Sequence, residues 1–326
     1  MKLLRRQFLN LAAGVVAMPA LSRLARAQTY PSRPITMIVP VAAGGTVDAL
    51  ARILADRMRL SLRQPVIVEN VSGADGSIGV GRAARASPDG YTIDLGQLPT
   101  HVLNGAFYSL PYDVLNDFAP IAPLTTMVPI LLGGKSIPAR DLHELITWLK
   151  ANPDKASAGV VTLGNKLPFM LFQRETGTRL ILVPYRGGAQ AAQDLVAGQI
   201  NLSTFLPDFL PSMQAAGMKA FAVASDTRLV AAAPDIPTFR ELGLPTLSYA
   251  EWIGLFAPRG TPTNVIGRLN AAAVEALADP AVRSRFEVVG EVFPRDRQTP
   301  EALGALVKAD AAKWWPIIKE LGIKAE

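Results

Sequence analysis

The amino-acid sequence predicts an α/β protein built from two βα units around a central cleft. Three observations carry that expectation. Short apolar runs alternate with amphipathic helical stretches along most of the chain, the pattern of βαβ crossovers and parallel sheets. Two of the strands lead through a Val-Pro step and a Gly-Gly pair directly into a helix, at Val39-Pro40 to Gly45 and again at Val183-Pro184 to Gly188. With 326 residues, 49% of them hydrophobic, the chain has material for more than one core.

The elements follow in order. Ile35 to Val39 reads as a buried strand, and Val47 to Leu60 as a helix with Leu50, Ile53, Leu54 and Met58 on one face. Val66 to Glu69 is a second strand. A loop holding Gly73 and Gly76 leads to a helix of small residues near Ile78 to Ala86. Ser87-Pro88-Asp89-Gly90 is a turn, and Tyr91 to Leu95 a third strand. In the middle, Ile130 to Leu132 is a strand, Asp141 to Ala151 a helix ended by Asn152-Pro153, and Ala156 to Val161 a strand or loop edge. Leu167 to Thr176 is a helix closed by Gly177, Leu180 to Val183 a strand, and Ala189 to Ala197 a helix. Ile200 to Phe205 and Ala220 to Ala224 are strands. Trp252 to Ala257 is a strand, and a helix follows Thr261-Pro262-Thr263 to about Ala278. The last helix starts at Thr299-Pro300-Glu301 and runs to Leu321, with Leu303, Leu306, Trp314, Ile317 and Ile318 as packing residues. No low-complexity linker separates the units, so extended strands are expected to make the crossings.

Residues 1–27 read as a targeting segment. Lys2, Arg5 and Arg6 form a basic start, Phe8 to Leu21 is mostly apolar but short of the ~20 residues a membrane span needs, and Ala25-Arg26-Ala27 fits a small-x-small cleavage site before Gln28. Arg5-Arg6-Gln7-Phe8-Leu9 has the form of a twin-arginine export signal. Five of the 33 basic residues lie in this segment, leaving 28 against 27 acidic ones, so the formal +6 belongs almost wholly to the leader. A near-neutral mature chain without a basic, aromatic-interleaved stripe is not expected to bind nucleic acid.

The chain has no cysteine and only two histidines, His101 and His143. That excludes disulfides and thiol chemistry and leaves little for a Ser-His-Asp triad. Gly-x-Ser-x-Gly, His-Glu-x-x-His and Walker-type motifs are missing, and no metal or cofactor site is expected. What remains is the pair of Gly-Gly helix starts. Backbone N–H groups there have no helical partner, and the helix dipole favours negative charge, so such a turn takes an anion without a charged side chain. Two such turns suggest two similar units facing one ligand.

Ordered motifs then resemble a known family. Val39-Pro40-x-Ala42-Ala43-Gly44-Gly45-x-x-Asp48, Val68-Glu69-Asn70-x-x-Gly73-Ala74-x-Gly76, Pro88-Asp89-Gly90-Tyr91-Thr92 and Leu110-Pro111-Tyr112-Asp113 are similar to the tripartite tricarboxylate transporter substrate-binding proteins, also called the Bug family. Val183-Pro184-Tyr185-Arg186-Gly187-Gly188, Asp194-Leu195-x-x-Gly198-Gln199, Pro234-Asp235-Ile236-Pro237-Thr238-Phe239 and Ala257-Pro258-x-Gly260-Thr261-Pro262 continue it over nearly the whole mature chain. The resemblance implies a type II, Venus-flytrap periplasmic binding protein. Its first domain would span 28–128 plus 250–326 and its second 129–249. It would capture a di- or tricarboxylate, an acidic amino acid or an aromatic acid as a monomer, for delivery to a membrane permease. A sensor that presents its ligand to a membrane receptor kinase, and a periplasmic enzyme, are the alternative readings. The implied site is Val41, Ala43, Gly44, Gly45, Thr46 and Asp48 from the first domain. The second supplies Gly159, Val160 and Thr162, then Tyr185, Arg186 and Gly187, and Asp208. The loop Gly96–Thr100 follows a strand end and adds Gln97 and Thr100. This chain departs from the family pattern at Val41, where an aromatic is frequent, at Arg186, where Lys is usual, at Asp75, and in the apolar stretch Gly159–Lys166.

Overall fold

The computed structural model describes residues 30–185 and 187–322. The targeting segment with its cut near Ala27/Gln28, and the candidate Arg186, lie outside the described residues. The chain opens with a βαβαβ run of β1 (Ile35–Val39), α1 (Thr46–Leu62), β2 (Val66–Asn70), α2 (Ser77–Ala84) and β3 (Thr92–Gln97). β4 (Phe118–Met127) follows, and after Val128-Pro129 comes β5 (Ile130–Gly133). The second unit continues through α3 (Leu142–Ala151), β6 (Ser157–Val160), α4 (Leu163–Thr176), β7 (Ile181–Pro184), α5 (Gly188–Ala197), β8 (Leu202–Phe205), α6 (Leu210–Ala215) and β9 (Lys219–Val223). The chain returns as β10 (Glu251–Pro258) and ends in α7 (Thr263–Ala278), α8 (Pro280–Glu287) and α9 (Pro300–Glu320).

The strands form two five-stranded mixed sheets, ordered β2-β1-β3-β10-β4 and β7-β6-β8-β5-β9. Both follow one plan: second, first and third strand of the unit side by side and parallel, then a strand arriving from the other unit, then the fourth. The arriving strand is antiparallel to both neighbours, β10 between β3 and β4, β5 between β8 and β9. This is the bilobal α/β architecture that the alternation of elements predicts.

The packing shows why the apolar periods work. α1 buries Leu50, Leu54 and Met58, and the facing side of α7 buries Leu269, Ala272 and Ala273, in one cluster with Met37, Ile93 and Leu255 of the first sheet. Full burial of one such large side chain contributes about 1.5–3 kcal/mol. A second cluster runs from Ile38, Leu98 and Leu103 to Leu167, Phe169 and Leu202, so the two units share apolar contacts.

α6 was not expected from the sequence, and three further elements differ from the expectation, each for a local reason. β4 is absent from the sequence expectation, and its Pro120 and Pro123 mask the strand pattern. It is the outermost strand of its sheet, where a missing N–H costs no ladder bond. α4 starts at Leu163, four residues before the expected Leu167. Gly164 and Pro168 obscure its first turn, but the Thr162 side chain caps it by accepting from the Asn165 N–H at 3.2 Å. α8 is short and mainly polar, and it starts on an Asp279 cap that the apolar period does not mark.

The crossing at β10 begins with Glu251, paired in register with Met127 and only 8% exposed. Burial pushes its carboxyl up from the ordinary 4.5 to about 7. Between those two values the folded chain keeps a proton that the unfolded chain has released. The residue's contribution to stability therefore falls as pH rises through that window and is constant above it. Glu251→Gln removes the effect. The variant should gain on the parent by up to about 3 kcal/mol at pH 8 compared with pH 4, read from thermal unfolding at both values. An equal gap at the two pH values would show that Glu251 ionises freely.

Candidate functional site

The turn between β1 and α1 is built from very little side chain. Ala42, Ala43, Gly44 and Gly45 are exposed, and a Cβ placed on Gly44 or Gly45 would meet nothing within 4 Å. Gly44 has φ +89°, a conformation that disfavours other residues. Gly45 is the N-cap of α1 in extended conformation and supplies no side-chain acceptor. The N–H groups of the first turn of α1 thus have no side-chain cap, and the two glycines before them border open space.

Asp48 holds this turn in shape. It is 4% exposed, and its two oxygens accept from the Gly44 N–H (2.9 Å), from Asn70 Nδ2 (2.9 Å) and from Arg52 Nε (3.1 Å). Asn70 also donates to the Val41 carbonyl at 3.2 Å and accepts from Arg52 Nη2 at 2.8 Å. Burial alone would raise the Asp48 pKa. The hydrogen bonds from Arg52, Gly44 and Asn70 together outweigh it and hold the carboxyl below its usual range. Asp48 is thereby engaged with its own turn. Neither Arg52 nor Asn70 was singled out for this role by the sequence, although Arg52 sits four residues after Asp48, the spacing of a helical ion pair.

The end of β3 is a buried π turn, Pro99–Leu103. Thr100 is 4% exposed, and its hydroxyl accepts from the Gln97 N–H at 3.1 Å and lies 3.0 Å from His101 Nδ1. His101 is fully buried, stacked on Phe256 at 4.4 Å, with Nε2 3.1 Å from Asp94 Oδ2 but poorly aligned for a hydrogen bond. Gly96 is obligatory here, since a Cβ would lie 2.7 Å from the His101 ring nitrogen. Thr100 therefore shapes the turn, while Gln97 Nε2 is buried without a hydrogen-bond partner among the described residues.

In the second unit, the stretch expected as a strand or loop edge is a strand as far as Val160, so Gly159 and Val160 are not loop residues. Both belong to β6 and are buried, and a Cβ on Gly159 would lie 2.6 Å from Ile200 Cδ1. The connection to α4 is therefore only Val161 and Thr162, and Thr162 is the helix cap. Tyr185 donates its hydroxyl to Asp194 Oδ2 at 2.7 Å and its N–H to the Val160 carbonyl at 2.7 Å. Burial and the Asp194 carboxylate push its phenol up to about 12. Gly187 is the extended N-cap of α5 and also lacks a side-chain cap, with open space around it. Asp208 is exposed in the turn Pro207–Phe209 that follows β8.

Two contacts between the units locate the cleft. Thr46 Oγ1 donates to Asp208 Oδ2 at 2.6 Å, joining the turn after β1 to the turn after β8. A Cβ on Gly164 would lie 2.7 Å from Pro99 Cγ, so the start of α4 after β6 abuts the turn after β3. First-strand and third-strand turns thus face each other in both directions, as a pseudo-two-fold axis requires. The carboxyl ends of both parallel sets confront one another, the position at which open α/β sheets collect ligands. The same geometry corrects one expectation. The Gly187-Gly188 turn follows β7, the second strand of its unit, so it is not the counterpart of Gly44-Gly45. The counterpart is Val161-Thr162.

This architecture matches proteins of known class. Residues 50–323 match the family model described as tripartite tricarboxylate transporter family receptor. BugT of Bordetella pertussis is 33% identical over 303 residues, covering 91% of this chain and 92% of its own. Among solved structures, MatC of Rhodopseudomonas palustris with bound malate has 35% identity and a TM-score of 0.81, covering 89% of this chain and all of that one. Another R. palustris protein, solved with adipate, has 30% identity and a TM-score of 0.82, covering 91% and 100%. A further solved structure, described as periplasmic binding protein BugD, has 34% identity and a TM-score of 0.82, covering 91% of this chain and 100% of that one, so the class is a solute-binding receptor rather than an enzyme. The chain belongs to the tripartite tricarboxylate transporter receptor family, within which the Bug proteins fall.

The Asp48 network makes a direct expectation. Asp48→Ala leaves the Gly44 N–H, Asn70 and Arg52 without their shared acceptor and should cost about 1–3 kcal/mol of stability, measured by chemical denaturation. Because the folded pKa is depressed, this contribution is complete above the unfolded value of about 3.9 and is lost as pH falls through the lower folded value. Parent and variant should therefore converge in stability only in strong acid. A constant difference down to pH 2 would mean that Asp48 acts by packing alone.

Proposed function

We propose that this chain is an exported binding protein that closes its two lobes, 28–128 with 250–326 and 129–249, on a small carboxylate and delivers it to the permease of a tripartite tricarboxylate transporter. The leader 1–27 would be removed near Ala27/Gln28 and the mature monomer would work in the periplasm. The observation that carries this reading is the uncapped start of α1, bare of side chains from Ala42 to Gly45 and set where the two lobes touch. Its free N–H groups suit one carboxylate, which the helix dipole also favours. Malate and adipate on two relatives support the ligand class, since both are dicarboxylates. Thr46, Gln97, Val161, Thr162, Tyr185 and Gly187 are the surrounding walls in this reading. Binding stabilises closure because the ligand touches both lobes, and a hinge at the β4–β5 and β9–β10 crossings accommodates the motion.

The test is a thermal-shift panel on the mature chain, covering dicarboxylates, tricarboxylates, acidic amino acids and aromatic acids. A ligand should raise the melting temperature progressively with its concentration. Gly44→Val and Gly187→Val should weaken that response by about tenfold or more. Gly187 has φ −169°, which any residue adopts, so its variant keeps the fold and reports on the cleft alone. A response to sugars or cations with none to carboxylates would sink the proposal.

A further inference from the structure

The Thr46–Asp208 hydrogen bond does more than locate the cleft. Thr46 is the first residue of α1, and its hydroxyl is directed at a carboxylate carried by the other lobe, 2.6 Å away. The approach is reinforced by Leu206, two residues before Asp208, which packs against the first-lobe cluster that also takes Val41 and Val47. The second lobe therefore docks on the mouth of the α1 turn with one apolar and one acidic residue. The consequence concerns the ligand. A carboxylate seated on the first-turn N–H groups of α1 lies within about one helical turn, ~5 Å, of the Asp208 carboxylate. Two like charges at that spacing lower affinity by more than about tenfold in a partly buried site. A carboxylate accepts up to about four hydrogen bonds, and Thr46 supplies one to Asp208. A donor on the ligand, next to its own carboxylate, would turn this repulsion into a charge-assisted hydrogen bond.

We infer that Asp208 is the latch and the specificity-determining residue of the cleft, and that it selects carboxylates bearing a hydroxyl or ammonium group on the neighbouring carbon. The inference rests on the carboxylate reading above. It is tested by calorimetric titration of the mature chain with matched pairs: malate and succinate, 2-hydroxyglutarate and glutarate, lactate and propionate, 2-hydroxybenzoate and benzoate. The hydroxylated member of a bound pair should bind about tenfold tighter. Asp208 is exposed, so Asp208→Asn keeps the fold while removing the charge and adding a donor. That variant should bring the preference to about twofold or reverse it. Thr46→Val, which removes the latch but keeps the acceptor, should weaken both members alike. Equal affinities within every bound pair, an unchanged preference in Asp208→Asn, or no effect of Thr46→Val would overturn this inference and leave the carboxylate reading standing. Binding of no carboxylate at all would overturn both.

Discussion

The cleft depends on a buried carboxylate that holds open a turn with almost no side chains. An anion site made of backbone N–H groups needs bare residues, and bare residues do not hold their own shape. Gly44 and Gly45 make no packing contact that a Cβ would extend. Asp48 supplies the missing rigidity from beneath, tying the Gly44 N–H to Asn70 on β2 and to Arg52 one turn along α1. The charge sits below the turn, neutralised by Arg52, so the exposed surface of the turn presents donors rather than a like charge. A site of this kind is preorganised by its supports, and its wall residues are free to differ between relatives.

The second constraint is the pseudo-two-fold relation of the lobes. Each sheet receives one antiparallel strand from the other unit, which places both crossings beside the third strands. The turns after β1 and β8, and after β6 and β3, are then brought face to face. The two partners are not chemically equivalent. The β1 turn is open and glycine-rich, whereas its counterpart at Thr162 is capped by its own side chain and abuts Pro99. Symmetry of fold thus carries two unlike turns, and the proposed anion site falls on the first lobe.

This asymmetry marks the limit of what the residues alone reveal. The strands β1, β2 and β3 and the long helices were legible because their apolar periods are strong and their ends carry Gly, Pro or Thr signals. β4 was hidden because its prolines are tolerable only at an edge, and edge position is a property of the sheet order. The Gly-Gly echo at Gly187 suggested a repeat, but topology pairs Gly44-Gly45 with Val161-Thr162. Local sequence records that a turn is tight and does not record which strand precedes it in the sheet. In the same way, Asp48 and Thr100 stand at cleft positions, yet their polar atoms serve the turns that carry them. Spacing reveals that a polar residue is near a site. Only the network reveals toward which side it faces.

The contact between Thr46 and Asp208 also bounds how the lobes exchange between open and closed forms. A single hydrogen bond to a charged group is worth about 1.5–3 kcal/mol at most once competition with water is counted. Shifting a two-state equilibrium from almost fully open to almost fully closed takes about 5.5 kcal/mol. The latch alone therefore leaves the chain short of a fixed closed state, and the ligand must supply the remainder by touching both lobes. A receptor that hands its cargo onward needs this balance. In the proposed delivery role, closure strong enough to persist without ligand would present empty protein to the permease, and closure that owed nothing to the protein would bind every small carboxylate alike.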